Sequence, residues 1–353
     1  MSQHFLLSPQ AKTLSVKQVY KMTDGEVFET FKKIRFSEND GNPVCPHCTS
    51  KDKFWFIQTR KSWRCAACKK TFTLTSNTLF AHHKLSLQDY LAAIVFFSNG
   101  AKGISALHLS RDLQVQYKTA YVLMHKMREA MKREFENSIT GEVEVDGAYF
   151  GGYIKPENNK QDRIDRRLAE NQNGKRQCVM VLKSHDEESG AVETRVSVTK
   201  KENPKFVRKF IKKNVDRKSV IYTDEHTAYD QLVKNYQVKR VNHKVQYLNP
   251  LNGACINHAE SYFSRLRRAE IGVYHHIAGK YLKMYATEMA YREDYCRVDN
   301  GGMVNDIALR ALHKKPSANF CGYLQRHLKR KTYTYLCKHF FYNANLIFLY
   351  KEE

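Results

Sequence analysis

No apolar run in this 353-residue sequence comes near the ~20 residues that a membrane-crossing helix needs; stretches such as LAAIVFF at 91–97 stop far short. The opening MSQHFLLSPQAK lacks the charged, apolar and small-residue segments of a secretory leader. Acidic residues are scarce, 36 Asp and Glu against 59 Lys and Arg, which leaves a net charge of +23 and a pI near 9.5. That excess is more than solubility requires and points to a polyanionic partner. The basic residues are interleaved with Tyr, Phe and His and form no polybasic block beside an apolar anchor, so nucleic acid is favoured over a membrane surface. No internal repeat is visible. These absences set the expectation of a cytoplasmic protein that does not engage membranes.

The length suits two or three folded units, and a 42% hydrophobic content supplies them with cores. Residues 1–44 read as a helical segment. A cysteine-bearing segment occupies 45–72, and helical periodicity dominates 73–137, with breaks at SNGAKG and LQVQ. Strand-like stretches follow at 142–152, 177–184, 191–199 and 219–224. Between the third and fourth lies NPKFVRKFIKKNV, where Phe206 with Phe210 and Val207 with Ile211 pair at i, i+4. This order predicts an α/β layer fold that opens with an antiparallel meander, over 138–300. Residues 301–353 form a basic, aromatic extension.

CPHC at 45–48 and CAAC at 65–68 are two Cys-x-x-Cys knuckles separated by 16 residues. This spacing suits one tetrahedral zinc ion held by Cys45, Cys48, Cys65 and Cys68, each knuckle bending two sulfurs toward it. Four thiolates leave no open position, so the site is expected to be structural. Trp63, Arg64, Lys69 and Lys70 around the second knuckle fit a module that grips a phosphate backbone, with a protein contact as the alternative. The other five cysteines, Cys178, Cys255, Cys296, Cys321 and Cys337, are scattered singly and read as core thiols.

GISALHLSRDLQVQYKTAYVLMHKMREAMKREF predicts a helix, a tight turn and a longer helix that presents Tyr117, Lys118, Thr119, His125, Lys126 and Arg128. That is the form of a helix-turn-helix, whose second helix enters the major groove of DNA, although an ordinary helical hairpin has the same periodicity.

Three acids raise the question of chemistry. In EVEVDGAYFGG, Glu142, Glu144 and Asp146 alternate with Val143 and Val145, which places the acids on one face of a strand; a solvated edge strand would look the same. Asp224 ends the strand SVIYTD, where sites in α/β sheets gather or where an Asp caps the next helix. Glu260 lies three residues after Asn257 as in a capping box. Together, acids from separate elements can hold a pair of Mg²⁺ or Mn²⁺ ions for phosphoryl transfer, with Arg265, Arg267 and Arg268 gripping the nucleic acid.

From about residue 28 to about 297 the chain resembles the DDE transposases of bacterial insertion sequences that carry an N-terminal zinc ribbon (ISXO-like). The resemblance is carried by CPHC, WRCAACKKTFTLTSNTLF, GISALHLSRDLQVQYKTAYVLMHKMREAM, EVEVDGAYFGG, VIYTDEHTAY, VNHK and NHAESYFSRLRRAEIGVYHHI, in that order. It implies a multidomain protein: a small zinc ribbon and helix-turn-helix, then an α/β ribonuclease-H-like domain with a mixed sheet. It further implies that Asp146, Asp224 and Glu260 are catalytic metal ligands, and that Arg267, two turns beyond Glu260, contacts the element's end. The function implied is binding of terminal inverted repeats, cleavage at the ends and joining of the 3′-hydroxyl to target DNA, by a homo-oligomer assembled on DNA in the nucleoid. A regulator that has lost catalysis and a metal-dependent nuclease without strand transfer remain as alternatives. His243 falls in an Asn-His pair with no assigned role. Asn77 stands where relatives usually have Gly, a change tolerated because Asn also visits left-handed conformations. The charged segment 153–176 departs from the shorter, glycine- and lysine-rich link expected there.

Overall fold

A computed structural model describes residues 5–152, 156–165, 171, 174–186, 190–241 and 255–320; His243, Cys321 and Cys337 lie outside these. Helices α1 (Val16–Lys21) and α2 (Asp24–Arg35) each start at a capping box, Ser15 with Gln18 and Thr23 with Glu26, which satisfies backbone donors that a helix start leaves orphaned. A three-stranded antiparallel ribbon follows, β1 (Phe54–Ile57), β2 (Ser62–Cys65) and β3 (Thr71–Phe72). Trp63 does not face a partner as expected. It is buried, its ring stacked 5.6 Å from both Phe28 of α2 and Phe72.

The apolar run at 91–97 lies in α3 (Leu87–Asn99), which is buried along most of its length. Around it pack α1, α2 and α9 (Asn300–His313), and one hydrophobic core joins these to the ribbon, to α4 (Ala106–Asp112) and to α5 (Tyr117–Met131). Asn77 does adopt a left-handed φ of 59° in the link before α3.

The second half is a five-stranded mixed sheet in the order β6-β5-β4-β7-β8. Strands β4 (Glu142–Phe150), β5 (Gln177–Asp186) and β6 (Gly190–Thr199) form the expected meander. After α6 (Pro204–Asn214), β7 (Val220–Thr223) runs parallel to β4, and β8 (Gln237–Arg240) runs parallel to β7. β4 is thus the central strand, not a solvated edge. The alternation in EVEVD separates two cores: Val143 and Val145 face α6, while Ala148 and Phe150 pack with α7 (Asn257–Ala269) and α8 (Gly279–Asp294).

Helix α8 joins the two halves through buried charge. Glu288 accepts from Arg128 Nε of α5 at 2.7 Å and from Arg292 Nη2 at 2.9 Å, and Arg292 also donates to Phe97 O at 2.7 Å. Glu293 accepts from Lys183 of β5 at 2.9 Å. Burial pushes the Glu288 carboxyl up, but Arg128 and Arg292 more than offset it and hold it below the usual carboxylate range.

Candidate active site and zinc centre

The four ribbon thiols converge. All four Sγ atoms lie within 4.8 Å of one another, with Cys45 and Cys68 at 3.6 Å and Cys48 and Cys65 at 3.7 Å. Four sulfurs about 2.3 Å from one tetrahedral zinc would stand about 3.8 Å apart, so the donor set fits a closed structural site. The backbone N–H of Cys68, aided by that of Ala67, lowers the Cys65 thiol to about 7, whereas burial pushes Cys45 up to about 12. A dication among them favours the thiolate at every position. Among the lone cysteines, Cys178 is a buried core thiol, Cys255 is half-buried and Cys296 is exposed, contrary to expectation for the last.

A second convergence lies at the carboxyl end of the sheet. Asp146, Gly147 and Ala148 of β4 line a cleft of about 470 Å³ together with Glu260, Phe263, Ser264, Arg267 and Arg268 of α7. One helix face supplies Glu260, Ser264 and Arg267 because they follow at intervals of four and three. The parallel register pairs Glu144 with Tyr222, and continuing it by two residues sets Asp146 beside Asp224, just past the end of β7. Asp224 caps no helix. Its Oδ1 accepts from the backbone N–H of His226, and His226 in turn caps the 3₁₀ helix Thr227–Lys234.

The electrostatics bear out the crowding. Burial pushes the Asp146 carboxyl up to about 8; the Gly147 N–H opposes this, and Asp224, Glu202 and Glu260 add to it. Glu202 was missed in the sequence reading. Tyr229 Oη donates to its Oε1, and its own backbone N–H donates to Tyr149 Oη at 3.2 Å. A Cβ added at Gly147 would fall 2.7 Å from Glu202 Oε2, so the glycine leaves space for a fourth carboxylate beside Asp146. The available signal was its position, between the third strand and the Pro204 that begins α6, at the same sheet end as Asp224.

Glu144 has a different task. It is buried, and its Oε2 accepts the backbone N–H of Ala259 at 2.8 Å, so a neighbouring strand satisfies the start of α7. The capping box expected from Asn257 and Glu260 is absent: Ile256 occupies the cap position, Asn257 is already helical, and no side chain of the segment itself caps the helix.

The basic residues divide. Arg267 and Arg268 are exposed and line the cleft, with Arg267 also 5.6 Å from the Phe150 ring. Arg265 does not join them. Two residues along a helix is a rotation of about 200°, which turns Arg265 toward Glu293 and the Ala101 carbonyl, to which Nη1 donates at 3.0 Å. On α5, Lys118 is exposed in the first turn as expected. Lys126, Arg128 and His125 are not available surface: α8 and α9 pack against α5 and bury all three. Arg128 lies over the Tyr285 ring at 4.1 Å and is paired with Glu288, so it holds the two halves together.

Sequence comparison adds three similarities. Residues 138–294 match the family model described as the ISXO2-like transposase domain. Residues 22–71 match the transposase zinc-ribbon domain. An uncharacterized protein in transposable element ISH50 of Halobacterium salinarum (strain ATCC 700922 / JCM 11081 / NRC-1) is 24% identical over 233 residues, covering 64% of this chain and 76% of that relative.

Proposed function

We propose that this chain, a member of the ISXO2-like transposases by the two domain matches along its length, binds the inverted-repeat ends of an insertion sequence, cleaves there and joins the freed end to target DNA. The observation that carries this reading is the shared cleft of Asp146 and Glu260, with Asp224 next to Asp146 by sheet register. The order β6-β5-β4-β7-β8, with two antiparallel and then two parallel pairings, supports a ribonuclease-H-like core.

The carboxylates of Asp146, Asp224 and Glu260 would hold two Mg²⁺ or Mn²⁺ ions, hard cations that suit oxygen donors and would offset the burial, and the lesser repulsion from neighbouring acids, that raise Asp146. Such a pair activates the attacking oxygen and stabilises the leaving one. Asp146, fixed on the central strand, and Glu260, fixed on a helix tied to that strand by Glu144, give the site rigid walls. Arg267 and Arg268 sit on the open side, where they take the phosphates of the bound strand. In the first step water adds to phosphorus and the bond to the 3′-oxygen breaks. In the second, that 3′-hydroxyl attacks a target phosphodiester and displaces its 3′-oxygen.

Helices α4 and α5, joined by residues 113–116 with Gln114 at a φ of 51°, serve as the helix-turn-helix. With the later turns of α5 buried, DNA is met by its first turn, at Tyr117 and Lys118, the end of a recognition helix that reaches base edges. Cleavage at two ends and joining to one target call for more than one copy on the DNA.

The test is strand cleavage of an end duplex in Mg²⁺, followed by joining of a pre-cleaved end to plasmid. Wild type is expected to do both, and Asp146→Asn or Glu260→Gln neither, with DNA binding retained. Cleavage without joining would reduce the reading to a nuclease. Equal inertness of all three proteins would sink it.

A further inference from the structure

The zinc ribbon packs one face on the helical core, though Phe56 at its edge stays 43% accessible, and turns the other outward. Directly opposed residues of an antiparallel sheet share a face, so Phe56, Trp63 and Phe72 form the inner face, packed on Phe28 of α2. The register places Trp55 opposite Arg64, and Arg64 opposite Thr71, on the outer face. All three are exposed; Trp55 is 44% accessible against 5% for Trp63. Trp55 stands on the edge strand β1, its indole open to solvent although a ring of that size can bury much area.

Two ammonium groups gather on that indole. Lys69 Nζ lies 5.6 Å and Lys53 Nζ 6.0 Å from the Trp55 ring centre, the range in which a ring holds a cation. Neither lysine, nor Arg64, has an ion pair with a described residue, and Asp52, next to Lys53, accepts from Ser50 Oγ instead. Lys69 also holds a left-handed φ of 59° directly after Cys68, a position where glycine would meet no steric penalty. The chain thus keeps a lysine in a disfavoured conformation beside the indole.

We infer that this outer face, Trp55 with Lys53, Lys69 and Arg64, is a docking surface for the sugar–phosphate backbone of duplex DNA, with the indole fixing the two ammonium groups as a phosphate clamp. Charge complementarity selects the occupant: three cations without anionic partners among the described residues, on a chain of net charge +23, meet a polyanion. The inference rests on the proposed transposase reading for the identity of the polyanion, and it assigns to the ribbon a part in grip, separate from the cleft.

The experiment is fluorescence anisotropy of a labelled duplex with the full-length, zinc-loaded protein across a salt series, with bound zinc per chain measured in each variant to certify the ribbon. Loss of two phosphate contacts in Lys53→Gln/Lys69→Gln should flatten the slope of log affinity against log salt by about 1.8, since each contact contributes about 0.9. Trp55→Leu should weaken binding several-fold on end and random duplexes alike, and Trp55→Phe should restore much of it. Iodide quenching of the exposed tryptophan should fall when DNA binds, while Trp63 stays shielded throughout. An unchanged salt slope in the zinc-loaded double variant overturns the assignment. So does tighter binding of single strands than of duplex with Trp55→Leu alone abolishing it, which would make unpaired bases the occupant. Duplex binding with the predicted slopes but without strand cleavage would instead remove the transposase reading and leave the clamp standing.

Discussion

Glu144 on the central strand accepts the backbone N–H of Ala259 in the first turn of the helix that carries Glu260, at 2.8 Å. One carboxylate therefore ties the strand of Asp146 to the helix of Glu260. Removing it leaves buried N–H groups at the start of α7 unsatisfied. Glu144→Ala is expected to lower stability by about 1–3 kcal/mol and to reduce cleavage more than DNA affinity, because the two acids lose their common reference. Glu144→Gln keeps an accepting oxygen and should be much milder. Urea melts and a cleavage time course on the three proteins decide the matter; equal cleavage in all of them would show that the tie is dispensable.

The pH dependence of the metal-free protein follows from Asp146. Its carboxyl titrates at about 8 in the folded chain against 3.8 when unperturbed, a rise due first to burial. A carboxyl raised on folding lowers stability once pH exceeds the unfolded value, and the effect grows until the folded value is passed. Metal-free stability should therefore decline between about pH 4 and pH 8, and Asp146→Asn should relieve the decline. At pH 8 the variant is expected to melt above wild type by roughly 2–6 °C, with no difference at pH 4 and a smaller one once Mg²⁺ is added. A thermal-shift series across pH reads this directly, and identical melting at pH 8 would refute it.

How much of this arrangement was legible in the sequence depended on whether the signal was local. The ribbon ligands were plain from two knuckles, and the strand and helix order from periodicity, since Val143 and Val145 or Phe206 and Phe210 report their own faces. Strand β8, QVKR, escaped because four mostly polar residues carry no alternation. Arg128 and Lys126 were misplaced because an amphipathic helix announces one buried face, whereas α5 is covered by α8 and α9 together. Glu202 was passed over because its position after the third strand signals only a sheet end, while its nearness to Asp146 spans a sheet, and Arg265 was grouped with Arg267 by adjacency although helical rotation separates them.

Gly147 tests the fourth carboxylate. Its missing Cβ would fall 2.7 Å from Glu202 Oε2, and Tyr229 holds that carboxyl in place, so Gly147→Ala should push Glu202 away from Asp146. The expected outcome is weaker divalent-ion binding and a loss of cleavage of at least an order of magnitude, since small displacements at a metal-assisted centre are costly. Adding Glu202→Ala to Gly147→Ala should recover thermal stability without recovering cleavage. Isothermal titration with Mn²⁺ and the melting temperature separate the two effects. Unaltered Mn²⁺ affinity in Gly147→Ala would mean that Glu202 does not bear on the ions.

Lys118 and Arg128, ten residues apart on α5, should respond to mutation in opposite ways. Lys118 is exposed in the first turn, so Lys118→Ala should leave stability within about 0.5 kcal/mol while weakening DNA binding. Arg128 is buried against Glu288 and lies over the Tyr285 ring, so Arg128→Ala removes one of the two cations on a buried carboxylate, which keeps Arg292, and should cost about 1.5–3 kcal/mol. Removing the carboxylate as well, in Arg128→Met with Glu288→Leu, leaves the buried Arg292 without its partner, so much of the loss should be restored only when Arg292→Met is added. Because Glu288 is held below its unfolded pKa of 4.5, its contribution to stability is present above that pH and lost as pH falls through the folded value. Acid should therefore narrow the gap between Arg128→Ala and wild type, as chemical denaturation at pH 7 and near pH 3 will measure. A gap unchanged by acidification would mean that Arg128 stabilises α5 through packing on Tyr285 and Phe97, with little from its ion pair.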